Sequence, residues 1–206
     1  MDEPATDAER SRQLRAEIID AAIDVIAERG YHHAGVADIA SRVKIGHSTF
    51  YRQFQSKREV LDAVVDTVLQ RMLAAAAVEL MPVAADTLAD FRNQVRRLVT
   101  SIDEIVSDLR VVRLLVIESL SVDAALEERV FGGLDLLIGL AADYLDQGRQ
   151  AGFLRADLDS AAAARAMVAM ALGGSVQGLS PNLDRTRRNA AIDAALLMAF
   201  EGIAAE

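Results

Sequence analysis

Apolar residues recur every three or four positions along most of this chain, which is the pattern of amphipathic helices. Thr6 and Glu9 have the spacing of a capping box at the start of a first helix, and Gly30 is placed to end that helix. Its apolar stripe consists of Leu14, Ile18, Ala22, Val25 and Ile26. The pattern therefore predicts one amphipathic helix before Gly30.

Two shorter apolar patterns follow, separated by the break Lys44-Ile45-Gly46. The first covers residues 36–43, and the second carries Phe50 and Phe54. Two short helices joined at such a break form a helix-turn-helix. We expect Gly46 to adopt a left-handed or capping conformation and Ile45 to tuck between the two helices.

The remaining pattern is also helical. Ser56 and Glu59 predict a second capping box at the start of a long helix that Pro82 closes, and Asp159 or Ser160 caps a later one. Further helices are predicted over about 88–106, 111–120, 124–150, 160–172 and 185–203. The run 166–172 is apolar on all sides, so we expect it to be buried on several sides. The sequence predicts an all-α fold of about nine helices.

Composition argues against catalysis. The 206 residues include no cysteine, and the three histidines are His32, His33 and His47, so residues 61–206 lack both imidazole and thiol. A nucleophile–base pair, as in a helical hydrolase, cannot be assembled there, and the usual transition-metal ligands are missing. We therefore expect no enzyme activity, no cofactor and no metal.

Charge indicates a nucleic-acid partner. The chain has a net charge of -9, yet the 20 residues 39–58 contain no acid and five Lys or Arg. In residues 1–60, nine basic and ten acidic residues give -1, and the other 13 basic and 21 acidic residues give -8. DNA contact is thus expected near the N-terminus. A DNA-compacting structural protein, the rival interpretation, would be basic throughout.

The segment ERGYHHAGVADIASRVKIGHSTFYRQFQSKREVL resembles the N-terminal signature of the TetR family of one-component repressors. The resemblance covers about residues 14–65. It implies that His47, Ser48 and Thr49 contact bases or phosphates and that Tyr51 and Lys57 clamp phosphates, and Arg42, Lys44 and Arg52 complete the predicted DNA-binding set. Tyr51 could instead be a packing residue, and Arg52 and Gln53 could simply be solvated. Where the family has Thr or Ser caps, this chain has Gly35 and Gly46, which puts one phosphate contact in doubt.

The same resemblance implies a DNA-binding domain over residues 1–55 and a helical ligand-sensing and dimerisation domain over residues 56–206. The expected protein is a cytoplasmic, ligand-responsive repressor that binds a palindromic operator as a homodimer through its last two helices. A transcriptional activator and a ligand-independent DNA-binding structural protein are the alternatives. The sequence itself shows no apolar run long enough for a membrane span.

The effector is expected to be a small hydrophobic molecule, because the C-terminal part is rich in Leu, Val, Ile, Ala and Met. Polar residues inside its apolar runs are candidates for the ligand pocket: Arg113, Glu118, Asp135 and Gln177. Acids slightly outnumber bases among them, which favours a neutral or cationic ligand. Glu118 and Asp135 could equally be acids on a helix surface or at an interface.

Overall fold

A computed structural model describes residues 6–80, 87–106, 108–177 and 185–203, and the fold in these ranges is built from helices. The nine α-helices found there are α1 (Asp7–Arg29), α2 (Val36–Val43), α3 (His47–Gln53), α4 (Lys57–Glu79), α5 (Leu88–Val106), α6 (Leu109–Arg113), α7 (Ala124–Gln150), α8 (Ser160–Gln177) and α9 (Arg185–Ile203). The all-α prediction is confirmed. None of the helices in these ranges combines the length and the apolarity needed to cross a bilayer.

Helix α1 has the predicted ends. The Thr6 hydroxyl accepts the Glu9 N–H at 3.2 Å, and the Glu9 carboxylate accepts the Thr6 N–H at 2.6 Å, which completes the capping box. Gly30 ends the helix with φ +76°, a conformation that glycine adopts without steric cost. The predicted stripe is buried at Ile18, Ala22, Val25 and Ile26. These residues carry the core face of α1.

In the turn of the helix-turn-helix, Gly46 takes the capping alternative of the prediction, and the left-handed conformation is adopted by a different residue. The left-handed residue is Lys44, with φ +60°, which ends α2 and donates its N–H to the Ser41 carbonyl at 3.1 Å. Gly46 is extended, with φ -77°, and serves as the N-cap of α3. Ile45 is partly buried against the core, as expected. The chain reverses at Lys44 because the C-cap position of α2 falls there.

Helix α4 begins with half of the predicted capping box. The Ser56 hydroxyl accepts the Glu59 N–H at 3.1 Å, but the Glu59 carboxylate accepts the N–H of Gln55, at 2.6 Å, and not that of Ser56. The helix ends at Glu79; Pro82, expected to close it, lies outside the described residues. The predicted stripe of α4 is buried in full: Leu61, Val64, Val65, Val68 and Met72.

The segment predicted as one helix over 111–120 is not a continuous α-helix. After α6, the backbone forms a π turn (Leu114–Glu118) and then a 3₁₀ turn (Ser119–Ser121). The Ser119 hydroxyl donates to the Leu114 carbonyl at 2.9 Å and so satisfies one main-chain acceptor within this irregular stretch. Side chains after Leu114 therefore point in directions that a regular helix would not give them.

Two apolar clusters make up the interior. The larger joins α1, α2, α3 and α4 to α6, the π turn and the first half of α7, so it runs without a break across residue 55. The smaller joins α5, α7, α8 and α9 around Phe91, Tyr144 and Phe200. Helix α4 is shared because one face packs on α1 while other faces contact α5 and α7. The helices that carry the polar N-terminal motif thus share one apolar core with the helices that follow them.

The run 166–172 of α8 is not buried on several sides within a single chain, contrary to the prediction. Ala166, Ala169 and Ala171 are exposed, and Met170 is 43% exposed. On α9, Leu197 and Met198 are 58% and 64% exposed. The burial that the sequence pattern predicted would need something outside this chain.

Candidate functional site

Helix α3 buries one face and presents the other. Phe50 is fully buried and packs against Phe54, with 6.1 Å between the ring centroids. On the opposite side, His47 and Ser48 are exposed and Thr49 is half-buried. Tyr51 is 53% exposed, with its ring edge-on to Phe50 at 5.5 Å. The outer face of α3 therefore carries hydroxyl and imidazole groups of the kind that bind base edges and phosphates.

The end of α3 is held by α1 through residues that the sequence did not single out. Arg15 donates from Nη1 to the Gln53 carbonyl at 2.5 Å, and its guanidinium lies 3.9 Å from the centre of the Phe54 ring. The Gln53 amide donates to the Ser11 hydroxyl at 3.1 Å, so Gln53 is not merely solvated. No local pattern marks Arg15 or Ser11, because both act across more than 35 residues of chain.

Arg42 holds α2 against α1. Its guanidinium binds both carboxylate oxygens of Glu28, at 3.0 and 2.7 Å, and reaches Asp24 at 3.4 Å. The hydrogen bond to Glu28 raises the pKa of Arg42, and the same bond lowers the pKa of Glu28. Asp24 also forms an ion pair with Arg110 of α6. Arg42 is therefore paired already, and its predicted DNA contact stays a prediction.

Lys57, the first residue of α4, also has internal partners. Its Nζ donates to the carbonyls of Tyr31 at 2.5 Å and Ala34 at 2.8 Å, and it lies 4.1 Å from the centre of the Tyr31 ring. Burial lowers the pKa of Lys57. An ammonium group has three donors, so at most one remains for a phosphate.

The acid-free segment 39–58, called the basic window below, consequently offers fewer unpaired positive charges than its composition suggests. Arg42 and Lys57 are engaged as described, and Arg58 pairs with Asp62 and Asp123. Lys44 and Arg52 are exposed, and Arg52 reaches only the Thr49 hydroxyl, at 3.4 Å, among the contacts of the described residues. The acids that neutralise the window come from α1, α4 and the cap of α7. Composition within the window could not reveal them.

Comparison with known proteins identifies the motif. Residues 18–64 match the model of the family described as bacterial regulatory proteins, tetR family. The matched stretch contains α2, α3 and the cap of α4, the elements that carry the exposed polar face. Residues 18–64 thus carry the tetR-family motif, over 47 of the 206 residues of the chain.

Curated relatives match the N-terminal part of this chain. The HTH-type transcriptional repressor Rv3405c of Mycobacterium tuberculosis is 38% identical over 77 residues, which are 34% of this chain and 41% of the relative. The fatty acid metabolism regulator protein of Bacillus subtilis is 40% identical over 52 residues, or 25% and 27% of the two chains. The chain thus spans less than half the length of these relatives.

Solved structures share the fold of this chain over nearly its whole length. The regulator FadR from Bacillus subtilis in complex with stearoyl-CoA has a TM-score of 0.77 at 19% identity, covering 91% of this chain and 98% of that one. The SmeT–triclosan complex has a TM-score of 0.76 at 22% identity, covering 93% and 92%. At these identities the likeness shows the fold.

A cavity of about 220 Å³ lies between α4, α5, α7, α8 and the segment from α6 to the 3₁₀ turn. Every described lining residue is apolar, and the wall includes Leu69, Met72, Leu98, Leu115, Leu120 and Phe131. Because none of these described side chains carries a charge, none of them could pair with an ionised ligand. Among the described residues, no group of three or more His, Asp and Glu side chains is placed to hold a metal ion.

The predicted polar residues of the pocket lie elsewhere. Arg113 is half exposed, and Asp135 is exposed and pairs with Arg165 on α8 at 3.5 Å. Glu118 is buried, but its carboxylate accepts the N–H of Tyr31 at 2.7 Å. The side chain of Gln177 lies outside the described residues. Arg113, Glu118 and Asp135 are therefore not among the described residues that line this cavity, and their part in ligand binding stays a prediction.

Proposed function

We propose that this chain is a transcriptional repressor that binds a palindromic operator as a homodimer and releases it when a small molecule enters the apolar cavity. The observation that carries the proposal is the outer face of α3, where His47 and Ser48 are exposed beside Tyr51 while Phe50 anchors the helix in the core. A short helix held in this way can enter the major groove of DNA. The relatives compared above are regulators, which supports the prediction that the chain is not an enzyme.

The exposed apolar residues of α8 and α9 support the homodimer. Met170, Leu197 and Met198 are exposed on α8 and α9. Exposed apolar surface of this kind marks protein interfaces. A second copy of the chain, related by a two-fold axis, would cover them. The two copies of α3 in such a dimer, related by the same axis, would select an inverted repeat in the DNA.

The cavity indicates an uncharged, lipophilic effector. A ligand with an ionised group inside the cavity would leave that charge without a partner, which is energetically costly. The cavity exceeds the ~150 Å³ of an engineered apolar cavity that binds benzene, so a larger molecule than benzene fits. The acids that favoured a cationic ligand lie outside the cavity, so only the neutral alternative is retained. FadR is solved with stearoyl-CoA and SmeT with triclosan, and both ligands have a lipophilic part, which supports a lipophilic effector for this chain.

Release requires that the effector bind one arrangement of the dimer better than the other, because equal affinity for both shifts no equilibrium. Helix α4 joins the two sites: Lys57 at its start contacts the turn before α2, and Leu69, Met72 and Ala76 line the cavity. A ligand that displaces α4 would therefore change the distance between the two α3 helices of the dimer.

Selection of binding sites from random duplex DNA tests the proposal. The full chain should enrich an inverted repeat whose half-sites lie about 34–36 Å apart, or a multiple of that distance. His47→Ala and Thr49→Ala should alter the selected bases, whereas Tyr51→Phe should weaken binding to all sequences alike. His33→Ala is the matched control, because His33 is exposed but lies outside α3.

Three outcomes would contradict the proposal. Selection of an unrepeated site by a chain that sediments as a monomer would exclude the dimeric operator. A reporter gene whose expression rises when the chain binds the selected operator would show an activator, the alternative mode. Binding to all DNA with equal affinity would favour the structural DNA-binding protein.

A further inference from the structure

We propose that Glu118 is a positioning residue that couples the wall of the apolar cavity to the helix-turn-helix. The inference rests on the proposed function for its biological meaning, but the coupling itself is a property of the folded chain. Glu118 is one of the few charged side chains buried in the described residues, with 8% of its surface exposed. It lies at the end of the π turn that lines the cavity.

On one side, the irregular segment forms part of the cavity wall. Leu115 of the π turn and Leu120 of the 3₁₀ turn both line the cavity, and Glu118 lies between them in sequence. π turns and 3₁₀ turns have weaker hydrogen-bond geometry than α-helices and are frequent at functional sites. A molecule that pushes on Leu115 or Leu120 therefore acts on the least regular helical segment of the described chain.

On the other side, Glu118 holds the end of α1. Its Oε2 accepts the Tyr31 N–H at 2.7 Å, and both carboxylate oxygens lie 3.6 Å from the position that a Cβ on Gly30 would occupy. Arg113 approaches the same carboxylate, with its Nε 3.8 Å from Oε1. A glycine with φ +76° thus allows the carboxylate to reach the main chain directly after α1.

Tyr31 is in turn hydrogen-bonded to the helix-turn-helix. The Tyr31 carbonyl accepts a hydrogen bond from the Lys57 ammonium group, which also donates to the Ala34 carbonyl. Ala34 immediately precedes Gly35, the N-cap of α2. Hydrogen bonds therefore run from the cavity wall, through Glu118 and Tyr31, to the starts of both α2 and α4.

A buried carboxylate that loses its donor carries a large desolvation cost, so this bond resists gradual stretching. When the π turn moves, Glu118 must either carry Tyr31 with it or leave the Tyr31 N–H unpaired. Two discrete arrangements are what an allosteric element requires. Asp135, the other acid within an apolar run, lies on the surface of α7 and contacts Arg165, so it provides a matched control.

The experiment measures amide hydrogen exchange at Tyr31 in the full-length chain. The cavity is filled in two ways, by the uncharged fluorophore N-phenylnaphthylamine and by the substitution Ala141→Phe at a lining position. In the wild-type chain, either change should alter Tyr31 exchange by about five- to tenfold, the effect of one hydrogen bond. In Glu118→Ala, Tyr31 should exchange fast and should no longer respond, although the fluorophore still binds, with an affinity changed by no more than the same five- to tenfold factor that reciprocity allows.

Glu118→Gln keeps an acceptor oxygen without the charge, so its Tyr31 exchange should still respond to filling of the cavity, but more weakly. This variant replaces Glu118→Ala in the experiment if Glu118→Ala does not fold. Asp135→Ala should behave as the wild type. The proposal is overturned if filling the cavity leaves Tyr31 exchange unchanged in the wild type, or changes it equally in Glu118→Ala. Exchange needs no DNA, so a chain that shows the coupling but binds no operator would count against the proposed function alone.

Discussion

The guanidinium of Arg58, in the first turn of α4, forms a two-point ion pair with the carboxylate of Asp123, the N-cap of α7. The Nε–Oδ2 and Nη2–Oδ1 distances are 2.8 and 2.9 Å. Asp123 also accepts the Leu126 N–H at 2.9 Å, so one carboxylate caps α7 and ties it to α4. The bond to Arg58, followed by that to Leu126, lowers the pKa of Asp123 to about 2.

This ion pair predicts a dependence of stability on acid. The folded pKa of Asp123, about 2, lies below its usual 3.8, so folding favours the ionised carboxylate. The contribution of the ionised Asp123 to the free energy of unfolding is complete above about pH 4 and is lost as the pH falls through about 2. Asp123→Asn keeps a capping oxygen but removes the ion pair, so its urea midpoint should fall less than that of the wild type between these pH values. Asp159→Asn, the same exchange at the cap of α8, is the control and should follow the wild type.

The two lysines of the chain should differ in what their loss affects. Lys57→Met keeps the apolar stem over Tyr31 but removes two charge-assisted hydrogen bonds, so it should lower the free energy of unfolding by about 2 kcal/mol. It should also weaken operator binding, because these bonds position α2. Lys44→Met removes an exposed charge and should leave stability nearly unchanged.

Salt titrations of operator binding separate the two roles. A lysine that contacts phosphate contributes roughly one unit to the slope of log affinity against log salt. We expect the full loss for Lys44→Met and a smaller one for Lys57→Met, because most donors of Lys57 have internal partners. Unchanged stability of Lys57→Met together with a full unit of lost slope would assign Lys57 to phosphate contact alone.

Gly35→Thr should strengthen the cap of α2. Gly35 has φ -104°, which a β-branched residue can adopt, and it supplies no side-chain oxygen. Asp38 already accepts the Gly35 N–H at 2.9 Å, and an added Cβ would lie 3.1 Å from its Oδ2, so Asp38 must shift slightly. The expected gain in unfolding free energy is a few tenths of a kcal/mol, roughly, as thermal unfolding would show. Operator affinity should rise more if the hydroxyl reaches a phosphate; a loss of stability would mean that Asp38 cannot move.

Two glycines of α7 should respond in opposite directions to alanine. A Cβ at Gly148 would lie 2.7 Å from the Phe91 ring, which is buried and stacked on Tyr144 at 4.4 Å. The ring has no room to move, so Gly148→Ala should destabilise the chain by about 1–3 kcal/mol. At Gly132 an added Cβ meets nothing within 4 Å, and Gly132→Ala should raise stability by up to about 1 kcal/mol through helix propensity. Equal changes in the two melting temperatures would contradict the packing at Phe91.

Local sequence determined most of the fold. The capping box of Thr6 with Glu9, the ends of α7 and α9 and the stripe of α4 all appear as predicted, because caps and apolar periodicity depend on neighbours within one or two turns. The exposed face of α3 follows from the same logic, since burying Phe50 places His47 and Ser48 on the opposite side. The prediction that the side chains of α3 contact DNA bases still awaits the operator experiment.

Tertiary structure alone decided how charge is used. Lys57 and Arg58 stand in a stretch without acids, yet Lys57 binds carbonyls of the turn after α1. Arg58 pairs with Asp123, 65 residues away, besides Asp62 on its own helix. Glu118 looks like a pocket acid in an apolar run, but the π turn directs it to Tyr31, 87 residues earlier in the chain. Ion pairs and irregular turns depend on which distant groups the folded backbone brings within about 3 Å. Composition and periodicity describe the neighbours of a residue along the chain, and for these side chains the deciding neighbours are elsewhere.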